Sequence, residues 1–328
     1  MKRQKKAARV RVNYVKQNLL REVKKMKRSH KVLAPVLALV LFAAFTIGAG
    51  AAAAAEETLI GMILSTDRTE FFRKVQDGAE EKSAELGYSL TVFGSDDDAS
   101  KDMTNMEDLI SLNPAVILYN PVDSDAAGAV IGLANARNIP VITVDRSASG
   151  GNVASHIASD NVYGCKIAGE YIIRMLGANG GQVVEIQGMA GTSAANDRGE
   201  GFHSAVGGAA NIEVVVSQIG NWDKNQAMSV MENSLEAFPD IKAVFSHNDT
   251  MALGAMEACQ NAQRGDIIIV GFDADNDAVV AVKNGTMAAT VEQLPALMGS
   301  TGVEVAHKLL TGQAVDEFIG VEVNLITE

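Results

Sequence analysis

From Thr58 onward, short apolar runs alternate with longer stretches in which apolar residues recur at helical spacing, the pattern of strands buried on both faces with helices between them. The runs at 59–65, 89–94, 115–120 and 140–145 predict four strands, and those at 182–187, 212–218, 243–246 and 267–272 predict four more. After the first strand, Phe71, Val75, Ala79 and Leu86 fall near one face of a helix over 71–86, and Gly87 stands where a left-handed cap ends it. Strands that alternate with helices in this way build βαβ units and a parallel sheet. Each set of four strands spans about 100 residues, which predicts two doubly wound α/β domains instead of one continuous sheet. A helix at 161–177 opens the second set, so the boundary is expected near Ser159-Asp160.

The chain before Thr58 follows a different pattern. Residues 1–55 hold 13 lysines and arginines against Glu22 alone, then an uninterrupted apolar run at 32–47 and small residues from Gly48 to Ala55. Basic, then apolar, then A-x-A is the order of a secretory signal, with cleavage expected after Ala53-Ala54-Ala55. An uncleaved anchor is the alternative, but the apolar run is short of the ~20 residues that span a bilayer. Met26 opens an n-region of ordinary length, MKRSHK, and is a candidate for the true start. No cysteine lies near the cleavage site, so no lipid anchor is expected and the mature protein should be free in the periplasm.

Composition narrows the class further. At 328 residues, 47% hydrophobic and 21% charged, the chain is neither disordered nor a multi-span membrane protein. The net charge of −12 conceals a basic leader: beyond Ala55 there are 15 basic and 39 acidic residues, a net of −24. A surface that acidic repels phosphate backbones and argues against nucleic acid as a partner. Cys165 and Cys259 form no CxxC pair and read as small buried side chains.

In open α/β sheets ligands lie beyond the carboxyl ends of the strands. In the first half those positions hold Ser65 and the segment to Phe72, including Thr69, Phe71 and Phe72, then Asn120, Asp123 and Ser124, then Asp145 and Arg146. In the second half they hold residues 188–193 running on to Arg198, then Trp222, Asn248, Asp249 and Asp273, with Gln293 after a last strand at 288–292. Singly, each has a plain structural reading. Asp123, Ser124, Asp249 and Ser193 are N-cap types, and Phe71 or Phe72 could be core. Together, paired arginines, aspartates and amides with three aromatics match the vicinal hydroxyls and C–H face of a sugar.

Catalytic signatures are missing from the sequence. There is no GxSxG, HExxH or GxxxxGK[ST], and Gly199-Glu200-Gly201 neither completes GxGxxG nor directly follows a strand. His247 beside Asn248 reads as a neighbour, not a base. The run from Asp273 to Asp277 begins like a calcium loop but has Ala278 and Asn284 where glycine and glutamate are needed, so no metal site is expected. Asp96-Asp97-Asp98 reads as a solvated turn capping a helix from Ala99.

Six stretches carry a resemblance: PVITVDR (140–146), SHIASDN (155–161), QGMAGTSAANDRGEGF (187–202), NDTMALGA (248–255), VGFDA (270–274) and AATVEQLP (288–295). On these the chain resembles the periplasmic ribose-binding proteins, the pentose and hexose branch of the type I solute-binding proteins that feed ABC transporters. The resemblance implies two α/β lobes joined by three hinge strands, with crossings near Ser159-Asp160, Gln293-Leu294 and Val321-Glu322. The lobes would then be 56–159 plus 294–321 and 160–293 plus 322–328. It places sugar hydrogen bonds on Asn120, Asp145, Arg146, Arg198, Asn248, Asp273 and Gln293 and stacking on Phe71, Phe72 and Trp222. Ser65 and Thr69 complete the candidate set. Two positions depart from the family: Thr69 stands for an asparagine and Trp222 for a phenylalanine.

The implied function is capture of one monosaccharide, D-ribose first, with allose, another pentose or a furanose-like sugar as alternatives. Delivery would be to an ABC permease and its ATPase, with a chemoreceptor as a further candidate partner. No cofactor and no catalysis are expected, and the protein should be a monomer. LacI-type repressors share the two-lobe fold but carry a helix-turn-helix headpiece, where this chain has a basic stretch feeding an apolar run. An enzyme acting on a sugar or nucleoside is the other rival, with no motif in its favour.

Overall fold

The computed structural model describes residues 57–327; the expectations about the signal sequence, its cleavage and Met26 lie outside the described residues. Nine helices follow in chain order among these residues: α1 (Glu70–Leu86), α2 (Ala99–Ser111), α3 (Ala127–Asn135), α4 (Asn161–Leu176), α5 (Ser193–Val206), α6 (Lys224–Ala237), α7 (Asp249–Asn261), α8 (Asn276–Lys283) and α9 (Pro295–Leu310). They cover two six-stranded sheets. In the first, β1 (Leu59–Leu64), β2 (Ser89–Gly94), β3 (Val116–Tyr119), β4 (Val141–Val144) and β5 (Ser155–Ser159) are joined by β11 (Phe318–Val321) in the order β11-β5-β4-β3-β1-β2, all parallel. The second combines β6 (Gly181–Gln187), β7 (Ile212–Ile219), β8 (Ile241–Ser246), β9 (Ile268–Asp273), β10 (Ala289–Glu292) and β12 (Asn324–Thr327) in the order β12-β10-β9-β8-β6-β7, with only β12 antiparallel.

The first sheet therefore adds β5 and β11 to its four expected strands, and the second adds β12 to its four and the last strand at 288–292. β11 and β12 have only four residues each and are partly exposed; β11 is apolar but short and broken by Gly320, and in β12 only Leu325 and Ile326 are apolar. The interior strands alternate as the pleat demands. Ile60, Met62 and Leu64 pack with Val75 and Ala79 of α1 and Met298 of α9, while Ile63 faces Met106 and Leu109 of α2 and Ile131 of α3. The second sheet repeats this: Val184 and Ile186 face Met231 of α6 and Met251 of α7, while Val183 and Phe245 face Ile172 of α4 and Phe202 of α5. Helices α1 and α9 cross closely enough that a Cβ on Gly78 would overlap the Ala296 carbonyl and one on Gly299 the Val75 carbonyl. Gly87, at φ 75°, ends α1 in the left-handed region.

The chain passes between the sheets three times, at Asp160, at Gln293-Leu294 and at Glu322-Val323. Two of these crossings are tied together by a bond from Asp160 N to Val321 O (3.4 Å). In each sheet the strand order reverses direction once, between β1 and β3 and between β6 and β8, and such switch points open a crevice at the carboxyl ends.

Candidate functional site

A cavity of about 250 Å³ lies among the loops that follow these strands, below the ~300–1,000 Å³ of drug-sized pockets. Its lining includes Thr69, Phe71, Phe72, Asp145 and Arg146 from the first lobe, Arg198, Trp222, Asn248 and Asp273 from the second, and Gln293 on a crossing. Ser65 and Asn120, the other two candidates, do not line it.

In the first lobe, Thr69 takes an extended backbone and its hydroxyl accepts from Phe72 N (3.3 Å), capping α1. The rings of Phe71 and Phe72 meet edge to face, with centroids 5.1 Å apart. Asn120 explains why it is absent from the wall. Its Oδ1 accepts from Ser65 N (3.1 Å), and its Nδ2 donates to Val144 O (3.0 Å) and Asp145 Oδ2 (3.2 Å). All its capacity near the site goes to tying the ends of β1 and β4 and orienting Asp145 from behind. Ser65 is buried beside it, its hydroxyl without a partner. Arg146 donates through Nη1 to the carbonyls of Pro121 (3.1 Å) and Val122 (3.2 Å), with its guanidinium 5.7 Å from the Phe72 ring centroid. Its Nε and Nη2 make no hydrogen bond among the described residues.

The second lobe uses the same device. Arg198 donates through Nε to Asn161 Oδ1 (2.9 Å) and through Nη1 to His247 O (2.6 Å) and Asp273 Oδ1 (3.3 Å), leaving Nη2 unengaged. Its guanidinium lies 4.0 Å from the Phe272 ring centroid and 5.5 Å from that of Trp222. Asn248 caps α7, its Oδ1 accepting from Met251 N (3.0 Å), so its Nδ2 is spare. Gln293 Nε2 donates to Asp273 Oδ1 (2.7 Å), and Gln293 Oε1 is buried without a partner. Trp222, at φ 60°, lays its indole on Gly188, where a Cβ would overlap the ring. Burial raises the carboxyls of Asp145 and Asp273 above the ordinary range, with Arg146 and Arg198 respectively pulling them back most strongly.

All four N-cap readings change. The N-cap of α3 is Ala126, with no side-chain cap; Asp123 Oδ1 instead holds the turn before it, accepting from Asp125 N (2.8 Å) and Ala126 N (3.0 Å), and the Ser124 hydroxyl is turned to the other lobe. Asn248, not Asp249, is the cap of α7; Asp249 is buried, accepting from Thr290 Oγ1 (2.7 Å) and Asp275 N (2.9 Å). Ser193 makes no cap but joins the lobes: its Oγ accepts from Ser147 N (2.9 Å) and its N donates to Ser124 Oγ (3.0 Å). The lobes also meet where Asn276 Nδ2 donates to Glu70 Oε1 (2.6 Å).

Sequence reasoning misses two features. Asp98 does cap α2, accepting from Ser100 N (2.7 Å), but its neighbour Asp97 lines the cavity; the signal was its place in the loop three residues past the end of β2. Behind Arg198, the buried Glu185 accepts from Ser217 Oγ (2.6 Å) and lies 3.0 Å from the Nε2 atoms of both His247 and His203. Burial would lift its carboxyl, but bonds from His247 and Ser217 hold it below the ordinary value. Glu185 pairs with Phe245 in register, which brings His247, two residues further on, to the same side of the sheet.

Two doubly wound lobes, three crossings and a polar cleft between switch points define a receptor that encloses a small solute, and the chain belongs to the family described as periplasmic binding protein domain, which matches residues 60–314. It is 45% identical over 296 residues to the ribose import binding protein of Salmonella typhimurium, covering 90% of this chain and 98% of the relative. It is 32% identical over 301 residues to the D-allose-binding periplasmic protein of Escherichia coli, covering 83% and 97%. Among solved structures, an ABC transporter solute binding protein from Mycobacterium smegmatis with bound glycerol matches at a TM-score of 0.79 and 32% identity, over 83% of this chain and 94% of that one. Another from Bacillus halodurans, with bound myo-inositol, matches at 0.78 and 29%, over 83% and 94%.

Proposed function

We propose that the protein captures one monosaccharide, D-ribose first, between its lobes and delivers it to an ABC importer. One observation carries this reading. Five polar wall residues are each held at one end by the protein with another end unengaged among the described residues: Asp145 Oδ1, Arg146 Nη2, Arg198 Nη2, Asn248 Nδ2 and Asp273 Oδ2. Donors and acceptors thus interleave from both lobes above a phenylalanine wall, the arrangement that vicinal hydroxyls and a sugar face require. Each hydroxyl left unpaired in such a site costs ~1–3 kcal/mol, which is the source of selectivity.

A sugar contacts both lobes only when they are shut, so binding shifts a hinge equilibrium toward the closed form. The permease and its ATPase read that shape, and a chemoreceptor could use the same surface. The mature protein is a periplasmic monomer, cut near Ala55 and without a lipid anchor, and it turns nothing over. Residues 1–55 favour this over the regulator reading, since an exported chain has no operator to bind. D-allose or another pentose is the second reading, favoured by Thr69, whose hydroxyl is committed to capping α1, and by the larger Trp222. Thermal shift against ribose, allose, xylose, arabinose, galactose and fructose, followed by calorimetry, separates the two; absence of heat with every sugar defeats both.

A further inference from the structure

Three consecutive aspartates follow β2, and the middle one alone has a buried carboxylate oxygen, Oδ1, with no hydrogen bond. Asp98 caps α2, and Asp96 pairs with Arg68 (2.8 Å) and Lys101 (2.6 Å). Asp97 lines the cavity with Oδ1 buried and without a hydrogen-bond partner, and the nearest cation, Arg146 Nη1, is 4.0 Å away. That Nη1 is already engaged by Pro121 and Val122, so it cannot turn toward the carboxylate. The backbone is forced to present this side chain: Asp97 is left-handed at φ 58°, after Asp96 at 55°, and is pinned by a bond from its N to Ser65 O (2.6 Å). Burial raises its carboxyl above the ordinary value, with Arg146 first, then Arg68 and the nearby Ser65 hydroxyl, opposing.

A carboxylate only accepts and a guanidinium only donates, whereas a hydroxyl does both. We propose that Asp97 is a specificity-determining contact of the sugar site: with the unengaged N–H groups of Arg146 it brackets one ligand hydroxyl, which donates to Asp97 and accepts from Arg146. The proposal rests on reading the cleft as a monosaccharide site and adds a residue to it.

The test uses Asp97→Asn, near-isosteric and tolerant of the left-handed backbone, and Asp97→Gly, which suits that backbone and removes the side chain. Calorimetry of each with D-ribose, D-allose and the 2-, 3- and 5-deoxy analogues of ribose gives the readout. The expected result is a loss of about tenfold or more for the parent sugar in Asp97→Gly, while one deoxy analogue binds the variant and the parent protein within about twofold. Asp97→Asn should lie between them. A uniform loss across all analogues assigns Asp97 to turn structure and overturns the proposal, as does no loss at all. Should Asp97→Gly fail to fold, Asp97→Asn alone decides by the same comparison. If neither ribose nor allose binds the unaltered protein, the underlying site reading has failed, and the proposal with it.

Discussion

Replacing Arg198 with alanine should abolish useful sugar binding while leaving a folded protein. Its Nη2 offers two N–H donors to the cleft, and hydrogen bonds from a charged donor contribute ~1.5–3 kcal/mol each. Losing both predicts a weakening of about 10²–10⁴-fold. Stability falls too, because Asn161 Oδ1 and His247 O lose their donor, at ~1–3 kcal/mol apiece. The remaining concern is Asp273, whose buried carboxylate loses its cation. Burial already raises that carboxyl, so it answers by taking up a proton instead of standing as a bare anion. The expected total lies within the ~5–15 kcal/mol of a typical domain, so a cooperative melt should survive at lower temperature. Trp222 is the sole tryptophan and lines the cleft, with the guanidinium 5.5 Å from its ring centroid, so its fluorescence reports the site directly. Titration of both proteins with ribose, alongside circular-dichroism melts, makes the comparison. A dissociation constant within threefold of the parent in a folded Arg198→Ala would refute the placement of this arginine in the site.

Sugar hydroxyls that donate to Asp273 favour its charged form, so binding should release a fraction of a proton near neutrality and weaken by up to about tenfold per unit as pH falls below the raised carboxyl value; calorimetry in buffers of different ionisation heat measures this, and uptake of protons would contradict it. Asp249 is also raised, by burial and by Asp273; its stabilising contribution is complete below the ordinary carboxylate range and is lost as pH rises, so Asp249→Asn should gain in melting temperature relative to the parent between pH 5 and 8. A gain that shrinks with pH would reverse that sign. Asn120→Ala should cost both stability and affinity, since it leaves Ser65 N and Val144 O unpaired and frees Asp145; calorimetry showing unchanged affinity would remove its orienting role. Gly299→Ala sets a methyl against the Val75 carbonyl and should lower the melting temperature without altering ribose affinity once folded.

Much of this was legible because parallel strands are buried on both faces and so announce themselves as apolar runs, while their carboxyl ends mark where polar residues matter. Arg146 and Arg198 stood at or downstream of such ends, and both line the cleft. The sequence could not separate residues in the wall from those one layer behind it. Asn120 occupies a strand end like Asp145, but only three-dimensional contacts show that its amide is consumed by Ser65, Val144 and Asp145. Asp97 was hidden for the opposite reason, since a run of three acids reads as a solvated surface and a left-handed backbone leaves no sequence mark on aspartate. Glu185 was obscured because its partners come from β7, the residue after β8 and α5, and no local pattern encodes that meeting.

The interleaving of the chain between sheets has a consequence for synthesis. The edge strand of the first sheet, 318–321, and the helix that covers α1 both leave the ribosome after all of the second lobe but its own edge strand, 324–327, so the first lobe lacks its final layer until nearly the last residue has emerged. Native pairings that must wait for distant segments form slowly. A nascent chain built this way stays threadable for longer than one whose domains finish in turn, a property that suits the export proposed above.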